Sequence, residues 1–139
     1  MLNKSKNIEL SLREPIGINR DRCPITMGIP FPQGELKNVR QMRLETEDKE
    51  IPFQVRPTCY WPDGSIKWVL LDFQVDLKPA IDHRVVLYFG ENISSSVKCK
   101  YPIQLTELSK SVQVNTGPLQ FEIIDNHSLP IAHLAYKDF

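Results

Sequence analysis

No charge of one sign predominates in this 139-residue sequence: 17 lysines and arginines stand against 17 aspartates and glutamates, a formal net charge of zero. A nucleic-acid binder gains affinity by releasing counterions from phosphates, which requires a basic excess, so DNA and RNA are not expected partners. Long apolar runs are also missing, and none approaches the roughly 20 residues of a membrane span. Behind the lysines at Lys4 and Lys6 comes no apolar block; Ile8, Leu10 and Leu12 alternate with Glu9, Ser11 and Arg13. No secretory leader is therefore expected, and the cytoplasm is the favoured location. Cysteine is scarce: Cys23, Cys59 and Cys99 are odd in number, far apart and without a Cys-x-x-Cys pair. They read as buried thiols of a reducing compartment. The six glycines are dispersed, so there is no phosphate-binding loop, and no G-x-S-x-G elbow occurs. His83, His127 and His133 share no ligand spacing with one another or with the cysteines. Neither a metal nor another cofactor is expected.

What the sequence has in abundance is proline, eleven in all, spread so evenly that a long helix has almost nowhere to sit. Between the prolines, apolar residues recur at period two, the mark of strands with one buried face. Met42 and Leu44 alternate with Arg43 and Glu45; Ile51, Phe53 and Val55 with Gln54 and Arg56; Leu119, Phe121 and Ile123 with Gln120 and Glu122. Val85, Leu87 and Phe89 form a further set. The pattern predicts an all-β fold of about eight or nine short strands, a sandwich or a small closed or partly open β-barrel. It occupies residues 1–139 as one domain, with 125–139 reading as the start of a following one, because apolar residues persist to the end. Two stretches, 34–41 and 103–112, carry apolar pairs three apart and read as single helical turns. Residues 91–96 read as a polar loop.

The strongest local signal is Trp61-Pro62-Asp63-Gly64-Ser65-Ile66-Lys67-Trp68. Proline pre-sets φ for the first central turn position, Asp63 can cap its own backbone, and Gly64 accepts positive φ. A hairpin therefore joins residues 51–60 to 65–75. Its second arm is apolar on both faces and is expected at the centre of the fold, covered on both sides.

Catalytic constellations are absent from this pattern. Asp63 and Asp72, nine residues apart on a strand, lie about 30 Å from each other, too far for a paired-carboxylate glycosidase. Asp63 is more simply a turn residue, and Cys59 a buried structural thiol. The aromatics are the one binding signal: Tyr60, Trp61 and Trp68 gather at the hairpin beside Asp63 and Lys67. Indole faces next to hydrogen-bonding groups suit sugar rings, which makes Trp61, Asp63, Lys67 and Trp68 the candidate ligand contacts. The competing reading makes both tryptophans packing residues of the hairpin and Lys67 one half of a cross-strand ion pair.

Five blocks resemble a known family: Gly28-Ile29-Pro30-Phe31-Pro32-Gln33-Gly34-Glu35-Leu36, Met42-Arg43-Leu44, Ile51-Pro52-Phe53-Gln54, the run from Trp61 to Phe73, and Asn115-Thr116-Gly117-Pro118-Leu119-Gln120-Phe121. In this order they are similar to the N-terminal domain of the exo-rhamnogalacturonan lyases over roughly residues 8–135. The resemblance implies a RIFT-type barrel, followed in full-length members by a β-sandwich and an α/α toroid. It implies a parent polysaccharide lyase that opens the rhamnogalacturonan backbone of pectin by β-elimination. That reaction needs a base at the uronate C5 and a cation to neutralise the carboxylate, and none of this machinery maps onto a position here. The expected role is a non-catalytic barrel domain that supports the enzyme or contacts its pectic polysaccharide. The alternative is a purely structural or protein-interaction module, docked on the following domains and binding no sugar.

Overall fold

The computed structural model describes residues 6–47, 49–100, 102–125, 128 and 130–136, and among them the regular structure is all strand. Residues forming the chain divide into two compact units, Met1–Lys98 and Cys99–Phe139, where the sequence reading has one domain. The division falls in the irregular stretch after the polar loop, where no strand forms among the described residues between Phe89 and Gln104.

The first unit holds two sheets. One has the order β1-β7-β3-β4, from Lys6–Arg13, Asp82–Phe89, Met42–Thr46 and Glu50–Ile51; the other is β2-β6-β5, from Arg20–Pro30, Ile66–Leu77 and Phe53–Tyr60. All of their ladders are antiparallel. Alternation aims Leu10, Leu12, Leu44, Val85, Leu87 and Phe89 from the first sheet and Ile29, Val69, Leu71, Phe73, Val75 and Leu77 from the second into one core. Phe31 and Leu36, from the connection after β2, close one end of it, with the Phe31 and Phe89 rings meeting edge to face at 5.0 Å. No ladder joins the two sheets among the described residues, so the barrel is of the open form.

Several expectations change. Eleven strands form among the described residues, because Pro52 splits β4 from β5 and because the stretch 103–112 is extended, not helical: β8 (Gln104–Glu107) pairs with β9 (Ser111–Asn115). The stretch 34–41 contains two isolated turns, closed by the Glu35 N–H on the Pro32 carbonyl and the Gln41 N–H on the Asn38 carbonyl. β6 is central in its sheet but covered on one face only; Val69, Leu71, Phe73, Val75 and Leu77 are buried, whereas Trp68 and Gln74 are exposed. Cys59 and Cys99 are exposed and Cys23 is half-buried, so none of the three is the fully buried residue that was expected. Cys23 lies on β2 and Cys59 on β5, the two edge strands of the second sheet.

The end of the first unit is clasped by Glu50. Its carboxylate accepts hydrogen bonds from the Ser95 hydroxyl (2.7 Å), the Ser96 amide (2.8 Å) and hydroxyl (2.7 Å), and the Val97 amide (3.3 Å). Burial pushes this carboxyl up, but the four donors outweigh it and bring it from 4.5 to about 2. A depressed carboxylate contributes stability that is complete above its unfolded value and is lost as pH falls through the folded one. The Ser96 and Val97 amide-proton shifts should therefore hold steady above about pH 5 and move toward random-coil values as pH falls through the region of 4.5 to 2. In Glu50→Gln they should sit at the released position throughout. Shifts that titrate identically in both proteins would exclude the clasp.

The second unit is one antiparallel sheet, β11-β10-β9-β8, where β10 is Leu119–Ile124 and β11 is Ile131–Tyr136. Opposed residues share a face, so Leu105, Val112, Phe121, Ile123, Ile131 and Tyr136 make one apolar side. That side is thinly covered: Tyr136 is 70% exposed, and only Val114 of the unit's described apolar residues is buried.

Candidate functional site

The hairpin turn forms as its residue chemistry dictates. Gly64 takes φ +80° and its N–H donates to the Trp61 carbonyl at 2.9 Å, while the Trp61 N–H donates to the Ser65 carbonyl at 2.8 Å. Ser65, 2% exposed, is the hub. Its hydroxyl donates to Asp63 Oδ1 at 2.5 Å and accepts from the Gly34 N–H at 2.8 Å, and its own N–H donates to the same Asp63 oxygen at 3.0 Å. Ser65 hydroxyl donation, followed by its amide, holds the Asp63 carboxyl below the ordinary range against a smaller desolvation penalty; the Gln33 side chain adds to it. This relay ties the turn to the 31–36 connection, which is fixed further by the Phe31 N–H on the Lys67 carbonyl and the Ile66 N–H on the Leu36 carbonyl.

Trp61 belongs to the same assembly. Its indole N–H donates to the Phe31 carbonyl at 2.9 Å, and the Lys67 ammonium lies over its ring at 4.4 Å from the centroid. Lys67 therefore makes a cation–π contact where an ion pair was expected, and no ion pair to it forms among the described residues. Asp63, Trp61 and Lys67 are brought together, but around one another.

Trp68 is placed elsewhere, on the outer face of β2-β6-β5. The ladder irregularity near Cys59 breaks the alternation, so Ile66 turns into the core while Trp68 turns out, 40% exposed. Cross-strand rows lay out the surroundings: Pro30–Trp68–Cys59, then Gly28–Leu70–Arg56, then Thr26–Asp72–Gln54. The indole leans across the second row onto Gly28. A Cβ added there would stand 3.4 Å from its Cζ3 and 3.5 Å from its Cε3, at ordinary van der Waals contact, so the ring lies close against the Gly28 backbone. The Thr26 hydroxyl donates to Asp72 Oδ1 at 2.5 Å in the row beyond, and Gln54 and Arg56 are exposed on β5. Arg56, Gln54 and Thr26 were not singled out from the sequence; period-two alternation with Val55 and Phe53 would have put the first two on the outer face.

No set of three metal-ligating side chains is assembled among the described residues. His83 accepts from the Lys78 N–H at 2.8 Å, and His127 lies outside the described residues.

Two antiparallel sheets sharing one core, with a turn-locked hairpin at one end, define an all-β domain of the RIFT type. Residues 17–81 match the model of the PcRGLX-like N-terminal RIFT barrel domain. This is the family to which the wording of the 61–68 hairpin points. The chain is also 34% identical over 102 residues to a Bacillus subtilis (strain 168) protein called uncharacterized protein YetA. The match takes in 68% of this chain and 10% of that protein, so the chain spans about a tenth of the length of its curated relative.

Proposed function

We propose that this chain is a non-catalytic module of an exo-rhamnogalacturonan lyase-like protein that contacts pectic polysaccharide through the outer face of β2-β6-β5. The observation that carries the reading is Trp68, an indole laid on Gly28 and left 40% exposed beside hydrogen-bonding side chains. A solvent-facing tryptophan on an uncovered sheet offers a flat apolar surface for the C–H face of a pyranose, and Gln54, Thr26 and Arg56 supply partners for its hydroxyls. Of the four candidate contacts, Trp68 retains this role, while Trp61, Asp63 and Lys67 act by shaping the hairpin. Titration with rhamnogalacturonan oligosaccharides should quench tryptophan fluorescence in the native chain and in Trp61→Phe. No response at about 1 mM sugar, a weak affinity for such a contact, would remove the proposal.

A second reading is favoured by a different observation, the exposed apolar side of the β8–β11 sheet. Such a face suits burial against another protein layer, and a following domain of a longer polypeptide is its natural cover. On this reading the chain alone self-associates with rising concentration, sugar leaves its fluorescence unchanged, and Ile131→Lys with Tyr136→Lys restores a monomer.

A further inference from the structure

The opposite side of the β8–β11 sheet is built differently. Register places Gln104, Asn115 and Gln120 in one row and Thr106, Gln113 and Glu122 in the next, ending on β11 at Ala135 and Ala132 respectively. These polar residues and His133, together with Val114 and Phe121, line a concavity of about 330 Å³, at the small end of the range for ligand pockets. The alanines leave its β11 margin shallow. Between them the ladder bulges: partners jump from Gln120–Ala135 to Glu122–Ala132, leaving His133 and Leu134 opposite Phe121. His133 takes up the slack in the left-handed region at φ +51°, a conformation non-glycine residues rarely hold without a reason. The bulge turns its ring toward Glu122, Nε2 to Oε2 at 3.8 Å, and leaves it exposed over the concavity.

We infer that this face is a second binding site, for a neutral, hydroxyl-rich ligand of the saccharide class. The chemistry of the lining points that way. Each glutamine amide offers both donors and an acceptor, which matches the dual character of a sugar hydroxyl. The side chains of Gln104, Gln113 and Gln120 make no hydrogen bond among the described residues, so that capacity is unspent. Among the described residues no lysine or arginine lines the concavity, which disfavours phosphates and uronates, and the one carboxylate among them, Glu122, faces His133. The exposed imidazole supplies the flat surface on which a ring can rest. The site lies wholly within the second unit and stands or falls independently of Trp68.

The test is a titration of the ¹⁵N-labelled chain with lactose, following backbone amide shifts. Shift changes should cluster at Gln113, Gln120, Glu122 and His133, with saturation in the millimolar range typical of about −4 kcal/mol of binding. Two variants should weaken the response at least about fivefold: Gln113→Leu with Gln120→Leu, which removes the amides, and His133→Gly. The glycine variant separates binding from folding, because glycine holds positive φ without strain while the ring is lost. The absence of clustered shifts at about 10 mM lactose, or a response unaltered in His133→Gly, would overturn the inference.

Discussion

Leu71→Ala should lower the stability of the first unit by about 3 kcal/mol, because it empties a fully enclosed site at the middle of β6. Leu71 pairs with Met27 on one side and Val55 on the other, and both partners pack against the same core. Neither flanking strand can collapse into the gap without dragging its own inward residues out of register, so the cavity persists. For a unit of this size the thermal midpoint should fall by about 15 °C. The informative control is the next residue. Leu70 lies between Gly28 and Arg56 on the outer face and is only half-buried, so Leu70→Ala should cost about 1 kcal/mol. Calorimetry of the two variants measures the one-sidedness of the strand directly. Equal losses would mean that β6 is covered on both faces.

That contrast also marks the boundary of what sequence could convey. The run from Ile66 to Val75 reads as a doubly covered strand because it is apolar at almost every position, and period alone cannot tell a buried outer face from an open one. Only the partners decide, and β2 contributes Gly28 and Pro30 there instead of another layer. β2 itself was legible in principle: Cys23, Ile25, Met27 and Ile29 alternate with Pro24, Thr26, Gly28 and Pro30. Its two prolines argue against a strand, and they are tolerated because β2 lies at a sheet edge, where an absent N–H breaks no ladder. The 103–112 stretch misleads in the other direction. Leu105 and Leu108 are three apart, but one lies in β8 and the other in the turn that returns to β9, where its N–H donates to the Ser111 carbonyl. The hairpin turn, by contrast, is encoded locally in Pro62, Asp63 and Gly64, and forms as its chemistry requires.

The candidate site follows the same division. Spacing gathers Trp61, Asp63, Lys67 and Trp68 within eight residues, and nothing local separates them. Separation comes from long-range partners: the Phe31 carbonyl claims the Trp61 indole N–H, the Gly34 amide claims Ser65 and through it Asp63, and Gly28 gives Trp68 its bed. A ladder irregularity between β5 and β6 then sends the two tryptophans to different surroundings.

Alanine at the two tryptophans should therefore give opposite phenotypes. Trp61→Ala removes a half-buried ring, strands the Phe31 carbonyl and leaves Lys67 without its aromatic partner, a loss of about 2 kcal/mol in stability. Sugar affinity at the outer face should change less than about twofold while the protein stays folded, since Trp61 contributes no surface there. Trp68→Ala removes a ring that is 40% exposed and lies close to Gly28, so stability should move by no more than about 1 kcal/mol. Rhamnogalacturonan affinity should fall at least about tenfold, the range in which a central aromatic anchor is truncated. Denaturant unfolding and oligosaccharide titration on the same two proteins supply both measurements. If Trp61→Ala instead abolished binding at intact stability, the contact would belong to the hairpin tip. If Trp68→Ala cost as much stability as Trp61→Ala and left sugar affinity unchanged, Trp68 would be a packing residue, and the apolar side of the β8–β11 sheet would carry the module's function.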